Sequence, residues 1–277
     1  MSGIEWGRVL EHAALIVRSY DTAVTLRQLH YQLVVRPELG YPNTQSAYKG
    51  LSSRTAKLRR DGLFPDLMDR TRAIHRAAWW ESPTDALGAL TDQYRLDRTE
   101  GQAVSIVIAV EKDGLVIQLE EWFGGLGVPI VAVSGYSSQS YVRDVVRDVH
   151  RYDRPAVLLY AGDHDPSGED IDRDFVARTG CWHHVERIAL SSAQVDKYNL
   201  PLAIGKAKDP RVAGFVARHG ELRQVELDAL NPNVLRGLYA DVLGEWWNPD
   251  AHQLVLAREN EDVSTLTATL AAMGGAR

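Results

Sequence analysis

Two apolar runs in the middle of the chain end in acids. Val104-Ser105-Ile106-Val107-Ile108-Ala109-Val110 leads into Glu111-Lys112-Asp113, and Ala156-Val157-Leu158-Leu159-Tyr160-Ala161 leads into Gly162-Asp163-His164-Asp165. Carboxylates gathered in one place repel each other unless some protonate or a cation sits among them. Hard oxygen donors suit Mg2+, which keeps waters and shares its shell with substrate phosphates; Mn2+ is the alternative occupant. Glu111, Asp163 and Asp165 are therefore candidate metal ligands. Arg27 and Tyr31 form a second chemical pair, four residues apart and so side by side on one helix. A phenol beside a guanidinium, on the flank of an apolar stripe rather than inside the core, suits a phosphate.

The elements that must position these groups follow from patterning. Both acidic runs are aliphatic and short, and each precedes a helical pattern, which reads as two buried parallel strands of an α/β sheet. Ligands gather outside the carboxyl ends of such strands, so the three acids should meet at one sheet edge. Further strands are expected at Val128–Ser134 and His184–Ser191, with helices at Asp113–Gly125, Ser137–His150 and from near Ser167. That β-α-β order predicts a parallel sheet with right-handed crossovers. Gly162 and Gly168 bracket the acidic loop and let a phosphate or metal approach the backbone.

Upstream, a helix is expected over Glu5–Tyr20. Thr25-Leu26-Arg27-Gln28 has the capping-box pattern, so a second helix should start at Leu26 and run through Val35, before Pro37. Pro42–Arg60 is the most basic stretch, with Lys49, Arg54, Lys57, Arg59 and Arg60; Asn43 or Thr44 suits a cap, and a turn restarting at Ser52 is allowed. Asp61-Gly62-Leu63-Phe64-Pro65 reads as a turn into a short extended wing. Helix, turn, basic helix and wing make a winged helix with Lys49, Arg54, Lys57, Arg59 and Arg60 facing double-stranded DNA. The plainer alternative is a solvated basic helix. Ser82-Pro83 opens another helix to Tyr94 or Leu96, and Asp97–Gln102 reads as an interdomain linker.

These residues carry a resemblance. A strand ending in Glu, followed by a strand ending in Asp-x-Asp-x-x-Gly, resembles a toprim domain. Val110-Glu111-Lys112-Asp113 and Gly162-Asp163-His164-Asp165-Pro166-Ser167-Gly168 are similar to the A subunit of type IIB topoisomerases (topoisomerase VI) and the related meiotic break-making protein. In that family the cleaving tyrosine lies in an Arg-acid-x-aromatic-Tyr motif of a winged helix. Arg27-Gln28-Leu29-His30-Tyr31 matches it at Arg27 and Tyr31, with Gln28 and His30 replacing the acid and the aromatic. The segment after the expected sheet resembles that of short phage and actinobacterial relatives. The resemblance implies a DNA-cleaving, isomerase-class enzyme in which Tyr31 becomes joined to a 5′ phosphate. Arg27 and Glu111 would assist, and Mg2+ would sit on Glu111, Asp163 and Asp165. It also implies a homodimer in which the tyrosine of one subunit works with the acids of the other. Any ATP-driven strand passage would need a separate ATPase subunit.

Composition fits this picture. The 277 residues suffice for two domains: 1–96, a winged-helix domain with Tyr31, and 97–277, a toprim domain with a C-terminal helical extension. The net charge is −6, but residues 1–80 hold twelve Lys and Arg against seven Asp and Glu, and the remainder nineteen against thirty. A basic front half suits DNA and an acidic back half suits metal. One cysteine, Cys181, excludes an internal disulfide and a cysteine zinc cage. With no apolar span and no signal peptide, a cytoplasmic protein is expected.

The rest of the chain reads as structure. Asp170, Asp172 and Asp174 are taken as solvated or helix-dipole partners, and His183 and His184 as structural. Asn231-Pro232 starts a helix with Val234, Leu235, Leu238, Tyr239, Val242 and Leu243 as its apolar stripe. The tail from Tyr198 is assigned packing or dimer contacts, and Met273–Arg277 fraying. Two other functions stay open: a toprim nuclease with water as nucleophile, and a DNA-binding module without catalysis.

Overall fold

The computed structural model describes residues 4–68, 76–203 and 209–274. Three helices open the chain: α1 (Trp6–Arg18), α2 (Leu26–Val34) and α3 (Gln45–Arg60). α1 buries Val9, Ala13, Ile16 and Val17, one stripe at helical spacing. α2 begins with the full capping box: Thr25 accepts from the Gln28 amide, and Gln28 Oε1 accepts from the Thr25 amide at 2.8 Å. α3 is capped by Thr44 and runs unbroken past Ser52. It buries Ala47, Leu51 and Thr55, and Thr55 returns its hydroxyl to the Leu51 carbonyl at 2.9 Å.

Beyond α3 the chain turns at Asp61-Gly62 as expected. Among the described residues no strand follows as a wing; one parallel bridge joins Met68 to Thr25. α4 (Pro83–Gln93), capped by Ser82, packs along the C-terminal helix and fully buries none of its residues.

The rest is α/β. In order come β1 (Ser105–Val110), α5 (Asp113–Phe123), β2 (Ile130–Ala132), α6 (Gln139–Val149), β3 (Ala156–Ala161), α7 (Pro166–Thr179) and β4 (His184–Ala189). The sheet is wholly parallel with order β2-β1-β3-β4, a Rossmann-like arrangement. Every residue of β1 and β3 is buried, as near-continuous aliphatic runs require at the centre of a parallel sheet. Alternate residues face opposite sides. Ile106, Ile108, Val110, Val157 and Leu159 join one core with Leu115 and Leu119 of α5. Val107, Ala109, Leu158 and Tyr160 join another with Val145, Val149, Ile171 and Phe175 of α6 and α7.

Among the described residues four α-helices close the chain: α8 (Ser192–Lys197), α9 (Val212–His219), α10 (Pro232–Trp246) and α11 (Pro249–Gly274). The whole expected stripe of α10 packs on the first core, and the Tyr239 hydroxyl donates to the Ala109 carbonyl at 2.7 Å. The expected linker at 97–102 is clamped to α11: Arg98 pairs with Glu259 at 2.5 Å, and Gln102 and Asn248 exchange hydrogen bonds at 2.8 Å. Of the segment Met273–Arg277 expected to fray, Met273 and Gly274 belong to α11, and 275–277 lie outside the described residues. Among those described, no helix is long and apolar enough to cross a membrane.

The front helices dock on the sheet unit through polar as well as apolar contacts. Gln28 Nε2 donates to Gln118 Oε1 at 2.9 Å, both side chains being buried, and Gln118 Nε2 donates to the Ala23 carbonyl at 2.9 Å. Tyr31 projects into the first sheet core. Its helix also packs on the turn at Leu227–Ala229, and Thr25 before it lies against Gly114 at the start of α5.

Candidate functional site

Glu111 follows β1 and Asp163 follows β3, and these central strands are direct neighbours. Their hydrogen-bonded register brings the two acids together: Glu111 Oε2 accepts from the Asp163 amide at 2.7 Å. Asp163 is 4% exposed. Lys112 donates to its Oδ2 at 2.6 Å, and the Leu227 amide to its Oδ1 at 2.8 Å. Burial first, then the Asp163 charge, pushes Glu111 up to about 7. Burial also raises Asp163, against the pull of Lys112. Burial disfavours the Lys112 cation, yet Asp163 outweighs this and holds it above the ordinary lysine value.

Asp165 differs from expectation. It caps α7, its Oδ1 accepting from the Gly168 amide at 2.6 Å. Among the described residues the one metal-type trio with ligand atoms mutually within 4.8 Å is His164, Glu169 and His219. Glu111, Asp163 and Asp165 are neighbours without being such a trio. The cap is the physical reason: an Asp in the first position before a helix turns its oxygen to the helix amides, not to a shared centre. Gly168 packs into the acidic loop, where a Cβ would stand 2.6 Å from the Asp163 carbonyl oxygen and 3.0 Å from Glu111 Oε2.

An all-oxygen pair beside a lysine fits a hard divalent ion. Mg2+ needs only one or two protein carboxylates when waters and phosphates complete its shell. Glu111 and Asp163 supply these, with Lys112 as the cation that balances Asp163.

Two further acids, which the sequence reading assigned to packing, complete the site. Glu226 and Asp228 enter on a segment bridged to the acidic loop by reciprocal backbone bonds between His164 and Val225, at 2.9 and 3.0 Å. Glu226 forms an ion pair with Arg27. Asp228 is buried, and burial pushes it up to about 6, with Lys112 opposing and Asp163 and Glu226 reinforcing. Glu226 precedes, and Asp228 lies within, a short 3-10 turn at Leu227–Ala229.

Tyr31 is the second correction. It is 5% exposed and packs in the core, not on the flank of α2. Burial first, then Glu226, raises its phenol well above the ordinary value, against Arg27; Asp228 and Asp163 add to the rise. Tyr31 thus feels the acids of its own chain. It still lines a cleft of about 420 Å³ with Arg27, His30, Asn43, Tyr48 and Glu226. His30 is held by the Tyr41 hydroxyl at 2.8 Å and Asn43 at 3.2 Å.

The five basic residues lie on α3. Lys49, Arg54, Lys57 and Arg60 are exposed and Arg59 is half-buried. By helical geometry Lys49, Arg54, Lys57 and Arg60 fall within an arc of about 140°, opposite the buried side of α3. Arg54 lies over the Trp6 ring, 4.1 Å from its centroid. Among the described residues none of the five forms an ion pair.

Asp172 is not solvated as expected: Arg187 holds it at 2.7 Å. His184 contacts Glu186 at 3.1 Å and stacks near Trp246. No protein-family model and no curated protein matches the chain.

Proposed function

We propose that the chain is a divalent-metal-dependent DNA strand-breaking enzyme, a toprim protein resembling the A subunit of topoisomerase VI. The observation that carries this reading is the meeting of Glu111 and Asp163 at the carboxyl ends of adjacent central strands, with Tyr31 near enough to feel the Asp163 charge and Arg27 paired to Glu226. α1 to α3 then act as a winged-helix-type reader without a wing among the described residues, and the basic arc of α3 tracks the phosphate backbone.

When bound, the ion stabilises charge developing on the scissile phosphate. Glu111 and Asp163 would hold it, beside Lys112. Arg27, fixed by Glu226, orients the phosphate at the mouth of the Tyr31 cleft. The Tyr31 oxygen attacks phosphorus and loses its proton, a 5′-phosphotyrosine bond forms, and the 3′ oxygen leaves as a hydroxyl by taking up a proton. In the metal-free chain burial and Asp163 raise Glu111 to about 7, so an ion binding there would displace its proton.

The burial and raised pKa of Tyr31 favour a second reading, in which water replaces the phenol and a free 5′ phosphate results. One experiment separates the two. Supercoiled plasmid is incubated with the protein and Mg2+ or Mn2+, stopped in detergent and run with and without protease. Protease-sensitive retention of DNA that disappears in Tyr31→Phe supports the tyrosine. Nicking that survives Tyr31→Phe and fails in Glu111→Gln supports water. Absence of any metal-dependent breakage overturns both. Mixing Tyr31→Phe with Glu111→Gln tests the homodimer: recovered cleavage means the two groups act across subunits.

A further inference from the structure

The loop after β3 faces two ways. Asp163 turns to Lys112 and the Leu227 amide, while His164, next in an extended segment, turns to the other side. There its ring lies 5.0 Å from Phe215 and 4.9 Å from His219, centroid to centroid. Glu169, in the first turn of α7, directs Oε1 at both imidazoles: 2.6 Å to His219 Nε2 and 4.0 Å to His164 Nδ1. Its other oxygen, Oε2, accepts from Arg218 at 2.7 Å.

We propose that His164, Glu169 and His219 form a second cation site, separate from the rim acids, for a zinc-class transition ion. One ligand atom from each already lies within 4.8 Å of the others. Two imidazoles and a carboxylate are a donor set for zinc and its neighbours, whereas Mg2+ prefers oxygen alone. Arg218 on the outer oxygen fixes the carboxylate and leaves Oε1 to the ion, the usual task of an outer partner. The His164 side chain is 2% exposed, while those of Glu169 and His219 are 19% and 25% exposed, so the site opens to solvent for entry and for a bound water. An ion here ties the end of α9 and the start of α7 to the backbone that carries Asp163 and Asp165. This inference does not depend on the strand-breaking reading.

The test uses the full chain, stripped by chelator and kept in excess Mg2+. Zn2+ is titrated against a chromophoric competitor, with Co2+ absorption as a second readout. One Zn2+ per chain is expected, unchanged in Glu111→Gln. His219→Gln should weaken it by at least about tenfold, and His219→Cys should restore it. His219 is the primary target because its ring is partly exposed; circular dichroism verifies folding. Absence of stoichiometric Zn2+ binding, binding indifferent to His219→Gln, or binding lost in Glu111→Gln overturns the proposal. In the first case His219–Glu169 is an ordinary hydrogen bond.

Discussion

Asp228 offers the sharpest test of the electrostatics. Its carboxylate is enclosed among Asp163, Glu226, Lys112 and Arg27, and burial lifts it from 3.8 to about 6. At about 1.4 kcal/mol per tenfold change in proton affinity, ionising it costs roughly 3 kcal/mol more in the folded chain than in the unfolded one. The sign follows: the folded state binds the proton more tightly, so the stability is present below about pH 3.8 and lost as pH rises through about 6. Asp228→Asn removes the charge and keeps the shape, including the 3.4 Å approach of the Thr25 hydroxyl. The variant should therefore be more stable than the parent by roughly 2–3 kcal/mol at pH 8, and by only about 1.5 kcal/mol at pH 5. Urea unfolding followed by tryptophan emission, in chelator, measures both. A variant less stable at pH 8, or a gain that does not shrink at pH 5, refutes the electrostatic picture of the site.

Gly168→Ala forces a Cβ against the Asp163 carbonyl and Glu111. A loss of about 1–3 kcal/mol in thermal unfolding is expected, with weaker Mn2+ binding; a neutral variant would mean the loop yields freely. Lys57→Ala with Arg60→Ala should lower DNA affinity alike for all sequences. The slope of log K against log salt should flatten by about one per residue, as fluorescence anisotropy would read; an unchanged slope removes α3 from the interface. Thr25→Ala breaks the capping box and should cost about 1 kcal/mol in urea unfolding, whereas no loss would show the docking contacts alone hold α2.

The sheet was legible because its strands are buried on both faces, so β1 and β3 read as unbroken aliphatic runs, and the acids stand at the strand ends. The α2 start was legible because capping is local chemistry between Thr25 and Gln28. What escaped was set by distant contacts. The burial of Tyr31 depends on α2 docking over the sheet, through Gln28 and Gln118, ninety residues apart. Glu226 and Asp228 join the site by a bridge between Val225 and His164 that no local spacing announces. The cap at Asp165 was not read because Asp-x-Asp fits both a ligand pair and a helix cap, and its Oδ1 is found on the Gly168 amide. The bounds of α11 within the expected helical extension went unread because its anchors, Glu259 and, just before it, Asn248, are polar partners of the segment 96–102 rather than an apolar stripe.

Calorimetric titration of Mn2+ into the His219→Gln chain, which lacks the second cation site, probes the rim acids alone. One ion per chain is expected, abolished by adding Glu111→Gln or Asp163→Asn, with plasmid breakage lost in the same two variants. Binding that persists undiminished in both, or no binding at millimolar Mn2+, would contradict a metal-dependent centre on Glu111 and Asp163.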